Sequence, residues 1–153
     1  MCLQTYIPNK LPNVLLVTIP YLRNMDFTVK AIIPAKRKEL YKAWLSSKKH
    51  SKMTGAEAQV SDEVGGVFLA WDGYISGTNL ILKDKKRIVQ FWRTTEFGDD
   101  EPNSQLEILF EKVKDGTEIT INHTNLPEQG MQYKQGWIDH YFEPMKAYFS
   151  KKK

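Results

Sequence analysis

The sequence predicts an α+β domain in which a curved antiparallel sheet of about six to seven strands wraps one long C-terminal helix. Three observations carry this. Between Asp26 and Thr124 apolar and polar residues alternate in short runs, the period of half-buried strands. Asp72-Gly73 and Asp115-Gly116 interrupt those runs as two-residue hairpin signals. After Gly130, Tyr133, Trp137, Tyr141, Met145, Tyr148 and Phe149 recur at spacings of three and four, which puts them on one face of a helix.

The elements follow in order. Phe27, Val29, Ala31 and Ile33 share one face of a first strand over 26–33. Pro34 suits a helix start, and Leu40, Tyr41, Trp44 and Leu45 give the apolar side of a helix over 35–45. Residues 46–55 are polar and end in Gly55, a turn or short second helix. Residues 56–60 suit a short strand whose edge could pair between chains. Strands are expected over 67–71, 74–82, 87–96, 105–114 and 117–124, joined by a charged turn at 83–86 and an acidic loop at 97–104. In the last two, Leu106, Ile108 and Phe110, then Ile119 and Ile121, face inward. The closing helix runs over about 131–152, and Pro144 within it predicts a kink. One sheet of this length must bury a face, and the closing helix is the remaining large apolar element. A cylinder does not fill a wide concave surface, so a cavity between them is expected.

Bulk properties narrow the function. The 153 residues suit one domain with a proper core. A net charge of +4, spread along the chain, argues against nucleic acid as a partner. No apolar run is long enough to cross a bilayer, so no membrane role is expected. The single cysteine, Cys2, allows no internal disulfide and fits a cytoplasmic setting. Residues 1–24 hold an apolar run, Val14 to Tyr21, that suggests a signal peptide. Pro12 and Pro20 bracket it, and no small-residue cleavage site follows. The expectation is an irregular N-terminal extension over 1–24, with Met25 as the natural start and the domain over 25–153. Peptide mapping of the natively expressed protein checks this.

Four stretches carry a family resemblance: IPAKRKELYKAWLSS, GGVFLAWDGYISGTNLIL, KRIVQFWRTTE and HTNLPEQGMQYKQGWIDHYFEPMKAYF. In that order they resemble the family of homologues of the activator of heat-shock protein 90 ATPase, within the START-like or SRPBCC superfamily. The resemblance covers nearly everything after residue 24. It implies a helix-grip fold with a hydrophobic cavity under the last helix. It also implies a chaperone as an alternative partner, since some relatives act on one as part of a larger protein.

The candidate ligand-binding residues are Trp71, Gln90, Trp92, His123, Trp137 and Tyr141. The four aromatic residues suit a lining for a flat or apolar molecule, and they equally suit plain core packing. His123 is in phase with Ile119 and Ile121, so a buried imidazole must find a partner or stay neutral. It could orient a ligand's polar group or bond the backbone at a strand end. Gln90 shares a face with Ile88 and Trp92, and Thr94 follows in register, although a slip of one residue would turn them outward. His140 fits either the cavity edge or the surface. The Gly98–Glu101 loop is acidic but lacks calcium-loop spacing. Lys146 and Lys151 to Lys153 read as a solvated helix end that complements the helix dipole, with acidic lipid as the alternative. No catalytic motif, metal site or cofactor is expected. The leading expectation is a carrier or sensor of a small apolar ligand. The alternatives are a stress-related chaperone-associated domain and a cyclase or dehydratase with His123 as base.

Overall fold

The computed structural model describes residues 25–151. The expected N-terminal extension, Cys2 with it, lies outside them. Six strands form one antiparallel sheet: β1 (Met25–Ile33), β2 (Val67–Ala70), β3 (Ile75–Lys83), β4 (Arg87–Thr94), β5 (Ser104–Val113) and β6 (Gly116–Leu126). Their spatial order is β1-β6-β5-β4-β3-β2, so the first strand pairs with the last and the other four continue as a meander. Alternation sets the inner face. Phe27 and Val29 on β1, Leu106, Ile108 and Phe110 on β5, and Ile119 and Ile121 on β6 are all buried, while the residues between them are half-buried or exposed.

Two short helices follow β1: α1 (Arg37–Trp44) and α2 (Ser47–Thr54). Ser46 caps α2 by accepting a bond from the Lys49 N–H at 3.2 Å. Gly55 ends it at φ 87°, a left-handed conformation that suits glycine. The C-terminal helix begins with a 3-10 turn (Glu128–Met131), continues as α3 (Gln132–Trp137), widens into a π segment (Ile138–Phe142) and ends as α4 (Glu143–Lys151). Its buried side chains, Tyr133, Trp137, Tyr141, Phe142, Met145 and Phe149, lie in the grip of the sheet. The architecture is the α+β helix grip expected.

Three details differ from expectation. Residues 56–60 form no strand, only one bridge between Gln59 and Leu69. Serine hydroxyls of α2 take the backbone instead: Ser51 accepts from the Ala58 N–H at 2.8 Å and Ser47 from the Val60 N–H at 2.9 Å. The Asp72-Gly73 signal yields a four-residue loop, with Trp71, Asp72 and Gly73 all at positive φ. At Pro144, where the sequence predicts a kink, the helix carries a π segment just before the proline. Proline offers no N–H to the carbonyl four residues back, and widening the preceding turn accommodates that loss.

Candidate functional site

A cavity of about 380 Å³ lies between one end of the sheet and the C-terminal helix, and it opens to solvent. The β2–β3 loop supplies Trp71 and Tyr74, and β3 and β4 supply Ile75 and Trp92. The helix supplies Gln132, Tyr133, Gly136, Trp137, His140 and Tyr141. Trp92 meets Tyr133 and Trp137 at centroid distances of 5.0 and 5.8 Å, and Trp137 meets Tyr141 at 4.8 Å. A Cβ at Gly136, which lines the cavity, would find nothing within 4 Å. The lining holds no Asp, Glu, Lys or Arg. Burial pushes the Tyr133 phenol up to about 12, partly offset by its 2.6 Å bond with Thr94, and burial also raises Tyr141. Both phenols are therefore neutral at physiological pH.

Of the expected site residues, Trp71, Trp92, Trp137 and Tyr141 come together around this cavity. Gln90 and His123 are not among its lining residues. Gln90 does point inward, but its amide donates to Asn79 Oδ1 at 2.9 Å. Asn79 in turn donates to the Ser61 and Glu63 carbonyls. That chain ties β4 to the loop before β2. His123 is fully buried beside Trp92 and Trp137. Trp137 Nε1 donates to its Nδ1 at 3.0 Å. The proton therefore sits on Nε2 and is directed at Ser104 Oγ, 2.9 Å away, which donates to the Trp92 carbonyl. Burial lowers its pKa to about 3. With both ring nitrogens engaged, His123 positions Trp137 and has no free nitrogen to act as a base. His140 lies at the cavity edge, its ring 5.3 Å from Trp71. The acidic loop is closed on itself, with Gly98 N–H donating to Glu101 and Arg93 bonding the Gly98 and Glu101 carbonyls. No group of three or more metal-ligating side chains occurs among the described residues.

His50 is a further buried histidine that no apolar periodicity marks. It sits in the lysine-rich α2, yet it is buried against Trp44 and Tyr141. Its Nδ1–H donates to the Trp44 carbonyl at 2.8 Å, and its Nε2 accepts from the Tyr141 hydroxyl at 2.9 Å. Burial lowers its pKa to about 4, against a smaller upward pull from the Trp44 carbonyl. Two neutral histidines in opposite tautomers thus fix two neighbouring rings of the helix, Trp137 and Tyr141. On the facing loop, Trp71 Nε1 is buried without a hydrogen-bond partner among the described residues.

The family model described as activator of Hsp90 ATPase homolog 1-like protein matches residues 34–150. The chain belongs to this family. An uncharacterized protein of Schizosaccharomyces pombe, C1711.08, is 25% identical over 125 residues; the match takes in 81% of this chain and 37% of that protein's length. Among solved structures, PFC0360w, an HSP90 activator from Plasmodium falciparum, superposes with a TM-score of 0.72 at 22% identity, covering 80% of this chain and 94% of that one. The Aha1 dimer from Colwellia psychrerythraea gives a TM-score of 0.68 at 14% identity, covering 80% and 95%. These structures share the fold. No helix among the described residues is long and apolar enough to cross a membrane.

Proposed function

We propose that this domain binds a small, flat, apolar or aromatic molecule in the cavity, as a carrier or sensor. The observation that carries the reading is the cavity itself: about 380 Å³ walled by Trp71, Trp92, Tyr133, Trp137 and Tyr141, with no charged lining residue. That volume and composition suit a small-molecule site. The single cysteine supports a cytosolic setting for such a carrier.

Native mass spectrometry of freshly purified protein tests this, with Gly136→Leu as the comparison. A leucine side chain would grow into the open space over the helix. Extra mass on the native protein that vanishes on denaturation, and is missing from the variant, is the expected result. The same extra mass on Gly136→Leu would place the occupant elsewhere and overturn the reading.

A second reading is a chaperone-associated domain. The family description and the likeness to an HSP90 activator support it. Pull-down from a lysate with the full chain checks it, and failure to recover any heat-shock protein 90 would remove it.

A further inference from the structure

Charge on this molecule is segregated along the strand direction. Among the 18 basic and 18 acidic residues of the described segment the net charge is zero. In an antiparallel meander the β2–β3 loop and β4–β5 loop lie at one end, with the cavity mouth. The β3–β4 and β5–β6 turns lie at the other. At that far end a broad basin of about 1420 Å³ is rimmed by Lys36, Arg37, Lys38 and Lys42 of the α1 region. Lys85 enters from the β3–β4 turn, and Lys112 and Lys114 from the β5–β6 hairpin. Seven cations face two carboxylates there, Glu39 and Asp115, a surplus of five. The rest of the described segment therefore carries minus five.

None of the seven cations is ion-paired among the described residues. All are exposed except the half-buried Arg37. Like charges gathered on three separate elements repel one another and attract a polyanionic partner over several ångströms. The shape selects among partners. A concave basin does not lie flat on a bilayer. Phe149, the one aromatic ring of the basin, is buried, so no ring is offered for stacking nucleic-acid bases. Half-buried Pro34 and Val113 leave apolar ground between the lysines. Carboxylates with interspersed apolar side chains match that pattern. We infer that this end of the sheet is a docking surface for an acidic segment of a partner protein.

The test is calorimetric titration of the full chain with a synthetic glutamate-rich peptide carrying leucine at intervals. A single-stranded DNA oligonucleotide and phosphatidylserine vesicles are titrated in parallel. The triple variant Lys38→Glu, Lys85→Glu, Lys112→Glu takes one cation from each element. Expected are preferential binding of the peptide, a loss of about tenfold or more in the triple variant, and weakening with salt. The corresponding Lys→Arg triple should bind as the parent does. The occupant of the aromatic cavity, read by native mass spectrometry, should be unchanged in both, which separates this surface from that site. Absence of peptide binding, equal binding by the triple variant, or tighter binding of DNA or vesicles would each overturn the inference. So would sedimentation showing self-association that the triple variant abolishes, since the occupant would then be a second copy.

Discussion

On the helix side of the cavity, Trp137 and Tyr141 each donate a hydrogen to a buried histidine, 3.0 and 2.9 Å away. On the loop side, Trp71 stands at φ 52° with its indole N–H unpartnered among the described residues. The helix wall is fixed before anything binds, because each ring is held by packing and by a directional bond to a group that is itself held. The loop wall instead carries a left-handed backbone and an unmet polar group, so it is held less firmly than the helix wall. If the cavity takes a ligand as proposed, the first wall sets the shape that fits and the second is the one able to yield.

The largest test of this contrast is His123→Ala. It opens a void and strips partners from Trp137 and Ser104, so a loss of about 3–5 kcal/mol is expected in urea unfolding at neutral pH. A loss below about 1 kcal/mol would mean the helix wall is not held as described.

Acid should loosen the same wall. Both histidines have folded pKa values below the unfolded value near 6.5, at about 4 for His50 and about 3 for His123. Below 6.5 the unfolded chain therefore binds protons that the folded chain does not. Their stabilisation is fully present above that pH and drains away as pH falls through the folded values. Each histidine should cost about 2 kcal/mol between pH 8 and pH 5. Unfolding curves across that range check it, and a flat profile would contradict the buried neutral pair.

His50→Phe keeps a planar ring, somewhat larger than imidazole, but leaves the Trp44 carbonyl and Tyr141 hydroxyl without their bonds to it. A loss of about 2 kcal/mol is expected, with a shallower pH profile than the parent.

Gly136→Ala should move the other way. It improves a helix position whose Cβ meets nothing, for a gain of about 0.5–1 kcal/mol in thermal unfolding, while intruding on the cavity.

The smallest effect belongs to the loop wall. Trp71→Phe keeps a ring and deletes the orphan donor, so stability should shift by no more than about 0.5 kcal/mol. If native mass spectrometry finds an occupant in the cavity, its retention should nevertheless drop in this variant. If Trp71→Phe destabilises as much as His50→Phe, the two walls are alike and the contrast fails.

Much of the sheet was legible because period two leaves little freedom: Leu106, Ile108, Phe110, Ile119 and Ile121 face inward as alternation requires. His123 was legible by the same phase, but its partner was not. The Trp137 bond joins a strand to a helix 14 residues on, and nothing local announces it. His50 was hidden by its neighbours. Three lysines and little apolar content make α2 read as surface, and only its packing against the closing helix buries the imidazole. Trp71 was legible as an aromatic candidate. Its strained backbone was not, since Asp-Gly signals a turn without fixing how many residues enter it. Gln90 was correctly placed inward, and the sequence could not reveal that Asn79 across the ladder would occupy it.

The crowding of indoles has an optical consequence. All four tryptophans of the chain belong to one neighbourhood: Trp71, Trp92 and Trp137 line the cavity, and Trp44 stacks on Trp137 at 6.3 Å. Intrinsic fluorescence and near-ultraviolet dichroism therefore report from one place rather than averaging over the molecule. Filling the cavity, or charging the imidazoles behind it, changes the emission of the whole set, and the domain carries its own label-free indicator of occupancy.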